Sequence, residues 1–122
     1  MRPYSKYGAR RTTVDGIQFD SATEAKRWQE LKAFESQGRI YDLRRQVRYD
    51  LVPTQKAQWK GDTTERPVYY VADFVYKLAE TGQEVVEDSK GMRLPEYVIK
   101  RKLMRYFHGI RILETGRRRK KR

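Results

Sequence analysis

The sequence predicts a small α/β domain in which helices flank a central mixed β-sheet. Two observations lead there: two segments carry apolar residues at helical spacing with caps at their ends, and runs of β-branched and aromatic residues lie between and after them. At 122 residues the chain is long enough for one hydrophobic core and too short for two.

In chain order, a basic arm, residues 1–11, leads into TTVDGIQF, where Asp15 and Gly16 mark a tight turn between two short extended pieces. DSATEAKRWQELKAFESQG follows as the first helix. Its apolar stripe is Ala25, Trp28, Leu31 and Phe34, Ser21 with Glu24 makes a capping box, and Gly38 stops it. IYDLRRQVRYDLVP, 40–53, alternates and predicts a strand, whereas 54–66 is polar and turn-rich and predicts a mobile loop. VYYVADFVY, 68–76, and QEVVEDSKG, 83–91, are joined by a Glu80-Thr81-Gly82 turn and predict an antiparallel hairpin. LPEYVIKRKLMRYFH, 94–108, is the second helix, with Pro95 in its first turn, Gly109 past its end and an apolar stripe of Ile99, Leu103, Tyr106 and Phe107. His108 is expected at its C-terminal dipole. IRIL, 110–113, is the last strand before a basic tail, 117–122.

The formal net charge is +12, and its placement matters more than its size. Ten of the 28 basic residues lie in the two ends, 1–11 and 117–122, so residues 12–116 hold 18 basic against 16 acidic residues. A nearly balanced body with two cationic arms suits a partner rich in phosphate, because such arms gain affinity by releasing counterions. A solubilising tail is the plainer reading. There is no apolar signal core and no run of the eighteen or so apolar residues that a membrane span needs, so a soluble, unprocessed, cytoplasmic protein with no membrane partner is expected. With no cysteine in the chain, a metal would sit on oxygen ligands, which points to Mg²⁺ or Mn²⁺.

The chemistry-bearing residues gather on the predicted hairpin. Side chains two apart on a strand share a face, so Asp88 and Lys90 project together while Glu87 points away with Val85 and Ser89 and is expected to be dispensable. Asp73 stands among apolar residues in VADFVY, a costly place for a carboxylate that neither pairs nor meets a cation. Neighbouring strands bring Asp73 and Asp88 close enough to share one cation. Glu24 lies on the buried stripe of the first helix and points toward the sheet. Carboxylates converging beside a lysine suit phosphodiester hydrolysis, in which a metal activates water and neutralises phosphoryl charge and the lysine orients the water. The duller readings are a capping role for Glu24, a hydrogen-bonded core carboxylate at Asp73 and an ion pair between Asp88 and Lys90.

YVADFVY followed by VVEDSKG resembles the PD-(D/E)XK nuclease superfamily, with Asp73 as the lone acid and Asp88-Ser89-Lys90 as the D-x-K element. SATEAKRWQEL resembles the helix that contributes a further acid, here Glu24. From FDSATEA to GIRILE, about residues 17–114, the chain is similar to small bacteriophage nucleases related to Holliday junction resolvases. It departs from the motif at Ala72, where the name has Pro, and at Asp88, where Glu is commoner. The resemblance implies a restriction-endonuclease-like core, Mg²⁺-dependent cleavage of DNA four-way junctions leaving a 5′-phosphate, and a homodimer. It also implies Glu24, Asp73, Asp88 and the Ser89 carbonyl as metal ligands, with Lys90 serving the attacking water.

Candidate DNA contacts are Arg10 and Arg11 in the first arm, Arg117 and Arg118 in the second, Lys100, Lys102 and Arg105 on the second helix, and Lys60 beside Trp59 in the 54–66 loop. Two alternatives stand beside junction resolution. One is a non-catalytic nucleic-acid-binding protein; the other is a nuclease of the same chemistry acting on linear or nicked duplex.

Overall fold

The computed structural model describes residues 11–90 and 94–116. Asp15 and Gly16 take positive φ, 52° and 75°, the sign that a tight two-residue hairpin needs, and join β1 (Thr12–Val14) to β2 (Ile17–Phe19). α1 (Ala22–Ser36) begins where Ser21 Oγ accepts the Glu24 amide at 3.2 Å and ends before Gly38, whose φ is 75°. Then come β3 (Ile40–Val52), β4 (Val68–Leu78), β5 (Glu84–Asp88), α2 (Pro95–His108) and β6 (Leu113–Glu114). β3, β4 and β5 pair antiparallel in sequence order, and the α2 crossover brings β6 back parallel to β5. The result is the expected α/β arrangement: a four-stranded mixed sheet flanked by helices, consistent with a restriction-endonuclease-like core.

Two apolar clusters divide between the helices. Phe19, Ala25, Leu31, Ile40, Phe74 and Tyr76 pack with α1, while Leu51, Tyr70, Ala72, Val75, Val86 and Met104 pack with α2. The division exposes an irregularity that strict alternation does not anticipate. Along β4, Val68, Tyr70 and Ala72 serve the α2 cluster, but Phe74 and Tyr76, of the same parity, serve the α1 cluster. The faces exchange at Asp73. Across the ladder the same exchange occurs on β3: Val47 packs toward α2, while the Arg45 guanidinium lies 4.7 Å from the Phe19 ring on the α1 side. Between them Gln46 has φ of 51°, a left-handed conformation that costs a side-chain-bearing residue on the order of 1 kcal/mol. A half-turn in the backbone at Gln46 therefore matches the exchange at Asp73.

Three expectations change. The apolar stripe assigned to α2 is its outer face: Ile99, Tyr106 and Phe107 are exposed, and only Leu103 of that set packs inward. The inner face is Tyr97, Arg101 and Met104, with His108 at its exposed end. Counting apolar residues missed it because three of these four carry polar ends, each with a partner: Tyr97 and Arg101 reach Glu114, and His108 Nε2 donates to the Asp50 carbonyl at 2.7 Å. The last strand is Leu113–Glu114 rather than 110–113. Residues 54–66 form an extension tied by reciprocal backbone hydrogen bonds between Gln55 and Glu65, at 3.0 and 2.8 Å.

Glu87 also departs from expectation. It does point away from Asp88, but into the core, fully buried, where Arg27 of α1 grips it bidentately at 2.9 and 2.8 Å and the Tyr76 hydroxyl donates to Oε2. The pairing stabilises the Arg27 cation, and burial with an adjacent carboxylate holds the Tyr76 hydroxyl protonated. Removing one partner of such a pair strands a buried charge. Arg27→Ala should therefore destabilise the fold by about 3 kcal/mol or more, measured by urea denaturation, and Glu87→Gln by less, because the amide keeps one acceptor.

Candidate functional site

Asp73 sits at the face exchange of β4, 2% exposed, and its Oδ2 accepts two hydrogen bonds from one residue: the Ser89 amide at 2.7 Å and the Ser89 hydroxyl at 2.9 Å. The β4–β5 ladder pairs Phe74 with Glu87, so these bonds extend the grip past the last paired residues and fix the end of β5. Asp88 then points to the α2 side, where Oδ2 accepts from the Tyr70 hydroxyl at 2.8 Å and Oδ1 from the Lys90 amide at 3.0 Å. Glu24, buried in the first turn of α1, accepts from the Asp20 amide at Oε1 and from Gln46 Nε2 at Oε2, both at 3.2 Å. The capping reading is thus half right. Ser21 receives the Glu24 amide, while the Glu24 carboxylate reaches Asp20 and, across to β3, Gln46.

Asp73 is the common neighbour. Burial, then the Asp73 charge, raises the Glu24 carboxyl to about 7, and the same two causes raise Asp88, against the opposing pull of Tyr70 and Lys90. Like charges confined in this way are what a hard divalent cation relieves, and the all-oxygen donor set suits Mg²⁺ or Mn²⁺. The residues that could hold one are Glu24, Asp73 and Asp88. Among the described residues, however, no three His, Cys, Asp or Glu side chains are gathered into a metal-holding group. Asp73 is the acid that both Glu24 and Asp88 feel.

A cleft of about 670 Å³ opens over them. Glu24, Asp88, Ser89 and Lys90 line it and Asp73 does not; Tyr69, Val71, Leu94 and Tyr97 give it an apolar and aromatic part, and the rest of its wall is largely polar and charged. Of the candidate DNA contacts, Arg11 and Lys100 line the cleft. Lys100 Nζ lies 3.0 Å from Glu96 and 5.8 Å from the Tyr69 ring centroid, and Arg48 covers the same ring at 3.9 Å. Lys60, Lys102 and Arg105 are exposed and line no part of the cleft. Arg10, Arg117 and Arg118 lie outside the described residues. Gly116 completes the rim at close quarters: a Cβ there would lie 1.7 Å from the Ser89 carbonyl oxygen, so the position requires glycine. The Ser89 carbonyl assigned to a metal thus abuts Gly116, and it is the amide and hydroxyl of Ser89 that serve Asp73.

Sequence reasoning missed Tyr70 and Gln46. A buried tyrosine hydroxyl needs a partner, so Tyr70 on an inward position beside an acid-bearing strand carried a usable signal. Gln46 carried none, since glutamine is not a residue that marks left-handed backbone.

A family model matches residues 4–117, a span that includes every carboxylate of the site and Lys90. The chain belongs to the DUF1064 family. That family is described as a protein of unknown function, so membership assigns no activity. No curated protein matches the chain, and no solved structure does.

The raised carboxyls in this DUF1064 chain set the sign of a pH effect. Glu24 holds its proton up to about 7 in the folded state but loses it near 4.5 when unfolded, so between those values the folded state binds more protons. Stability should therefore fall as pH rises from 4.5 to 7, with Asp88 acting in the same direction. Urea midpoints across that range should show the decline, and Glu24→Gln should flatten it.

Proposed function

We propose that this chain is a metal-dependent DNA endonuclease that resolves four-way junctions. The observation that carries the reading is the placement of Asp73 as common neighbour of Glu24 and Asp88, beside a cleft that Lys90 enters from the Asp88 strand. A bound Mg²⁺ or Mn²⁺ would activate water and neutralise charge on the phosphoryl oxygens. Glu24, Asp73 and Asp88 would hold it. Lys90, exposed at the cleft and attracted by the Asp88 charge, would orient the water, whose attack on phosphorus would break the P–O3′ bond and leave a 5′-phosphate and a 3′-hydroxyl. Tyr70 and Ser89 hold Asp88 and Asp73 in place without adding charge.

Substrate handling follows from where the charges lie. Arg11, the last residue of the first arm, and Gly116, the residue before the basic tail, both line the cleft. Both cationic segments therefore join the body at the rim of the acidic site. That position suits phosphate backbones passing over it, held by charge and shape rather than by base sequence. Two symmetrical cuts in one junction call for a twofold dimer, and the exposed outer face of α2, with Ile99 57%, Tyr106 81% and Phe107 52% accessible, offers apolar surface for a second copy. One other reading is a non-catalytic nucleic-acid binder, in which the cationic segments at the cleft hold phosphate and the acids serve the fold.

Purified protein incubated with a labelled four-way junction and with linear duplex of matching sequence, in Mg²⁺ or EDTA, separates these readings. Junction cutting in Mg²⁺ that stops in EDTA is expected, with Asp73→Ala binding the junction as the parent does while cutting at least about a hundredfold more slowly. Binding without cutting in any metal would favour the non-catalytic reading, and equal cutting of both substrates would remove junction selectivity.

A further inference from the structure

Halfway along β3, Gln46 carries a φ of 51° in a strand whose neighbours pair regularly with β4 on either side, Arg45 with Phe74 and Val47 with Ala72. Positive φ is ordinarily met by glycine, or by asparagine and aspartate, whose short side chains tolerate it. Asp42, at 56° in the same strand, fits that pattern and lies 3.7 Å from Arg44 and 3.8 Å from Lys77. A glutamine does not fit. If this point of β3 served only to exchange the faces of the sheet, glycine would serve it with less strain. What the glutamine adds is its amide, and that amide donates to Glu24 Oε2 at 3.2 Å.

We infer that Gln46 is a positioning residue: its strained backbone delivers a neutral donor that holds the Glu24 carboxylate beside Asp73. The inference rests on the nuclease reading for what that carboxylate then does. Glu24 is gripped from two directions, at Oε1 by the Asp20 amide before α1 and at Oε2 by Gln46 from the sheet edge. Both donors are uncharged. Two carboxylates side by side repel, and a lysine or arginine at position 46 would hold Glu24 by neutralising it, so competing with any cation the acids share. An amide holds the oxygen and leaves the charge available. Gln46 is exposed and lines no part of the cleft, so it acts on Glu24 and not on a substrate within that cleft.

Gln46→Gly removes the donor and relieves the strain together, so the two contributions separate by sign. The variant should melt at or above the parent's temperature and bind a four-way junction in EDTA as the parent does. Its Mn²⁺ affinity, measured calorimetrically on the protein alone, should weaken about tenfold, the scale of one hydrogen bond to an ionised group. Junction cutting at subsaturating Mn²⁺ should slow about as much and recover as Mn²⁺ is raised. Unchanged Mn²⁺ affinity with a functioning parent would overturn the inference and leave the nuclease reading standing. A variant that loses thermal stability, with slow cutting that Mn²⁺ does not restore, would also overturn it by assigning Gln46 to the fold alone. A parent that neither binds Mn²⁺ nor cuts would remove both.

Discussion

A carboxylate placed in the middle of a β-sheet must find donors, because it cannot reach water and its neighbours on the strand are apolar. Asp73 finds them in Ser89, one residue past the end of the next strand. Much of the site's arrangement follows from that demand. Ser89 can satisfy Asp73 only if β5 runs alongside β4 to its last residue, and Asp88, immediately before it, is then turned to the α2 side against Tyr70. The faces of β4 exchange at the same residue, so that Ala72 packs toward α2 and Phe74 toward α1. Asp73 therefore lies buried between the two apolar clusters, where Glu24 from α1 and Asp88 from β5 both come within reach of its charge.

α1 secures this arrangement with one turn of helix. Glu24 and Arg27 are three residues apart and so lie on adjacent turns of one side. Glu24 reaches the acids, and Arg27 reaches Glu87, the residue beside Asp88 that points the other way. Consecutive residues of β5 thus serve opposite purposes. Glu87, with its charge met by an arginine and a tyrosine, ties the strand to the helix; Asp88, adjacent to other acids, keeps a charge that the protein only partly offsets. The contrast between a compensated carboxylate and undercompensated ones distinguishes Glu87 from the proposed metal ligands more clearly than burial does, since all are buried.

The elements were legible because their signals are local. Ser21 and Glu24 mark the start of α1, Gly38 and Gly109 sit past helix ends at positive φ, and the two β-branched runs around Glu80-Thr81-Gly82 form the hairpin as read. Strand neighbourhood placed Asp73 near Asp88, but it did not reveal Ser89, whose amide and hydroxyl are what Asp73 accepts from. Period-two geometry also separated Glu87 from Asp88 correctly, but it could not say what Glu87 would meet, because Arg27 lies 60 residues away in sequence. α2 was read with the wrong face inward. Its inner side carries Tyr97 and Arg101, whose polar ends find Glu114, and at its exposed end His108 reaches the Asp50 carbonyl, partners that no periodicity reveals. The face exchange at Gln46 is likewise a tertiary compromise with no composition signal.

The DUF1064 family model spans the whole site and leaves its chemistry to be decided by the residues themselves. The proposed nuclease activity depends on Asp73 and its two acidic neighbours holding one cation between them. Diffraction from crystals soaked in Mn²⁺, collected at the manganese absorption edge, tests it most directly. The account predicts an anomalous peak about 2.1 Å from carboxylate oxygens of Asp73 and Asp88, with Glu24 within the ion's coordination sphere or one water away. Saturating Mn²⁺ that leaves no peak there would contradict it.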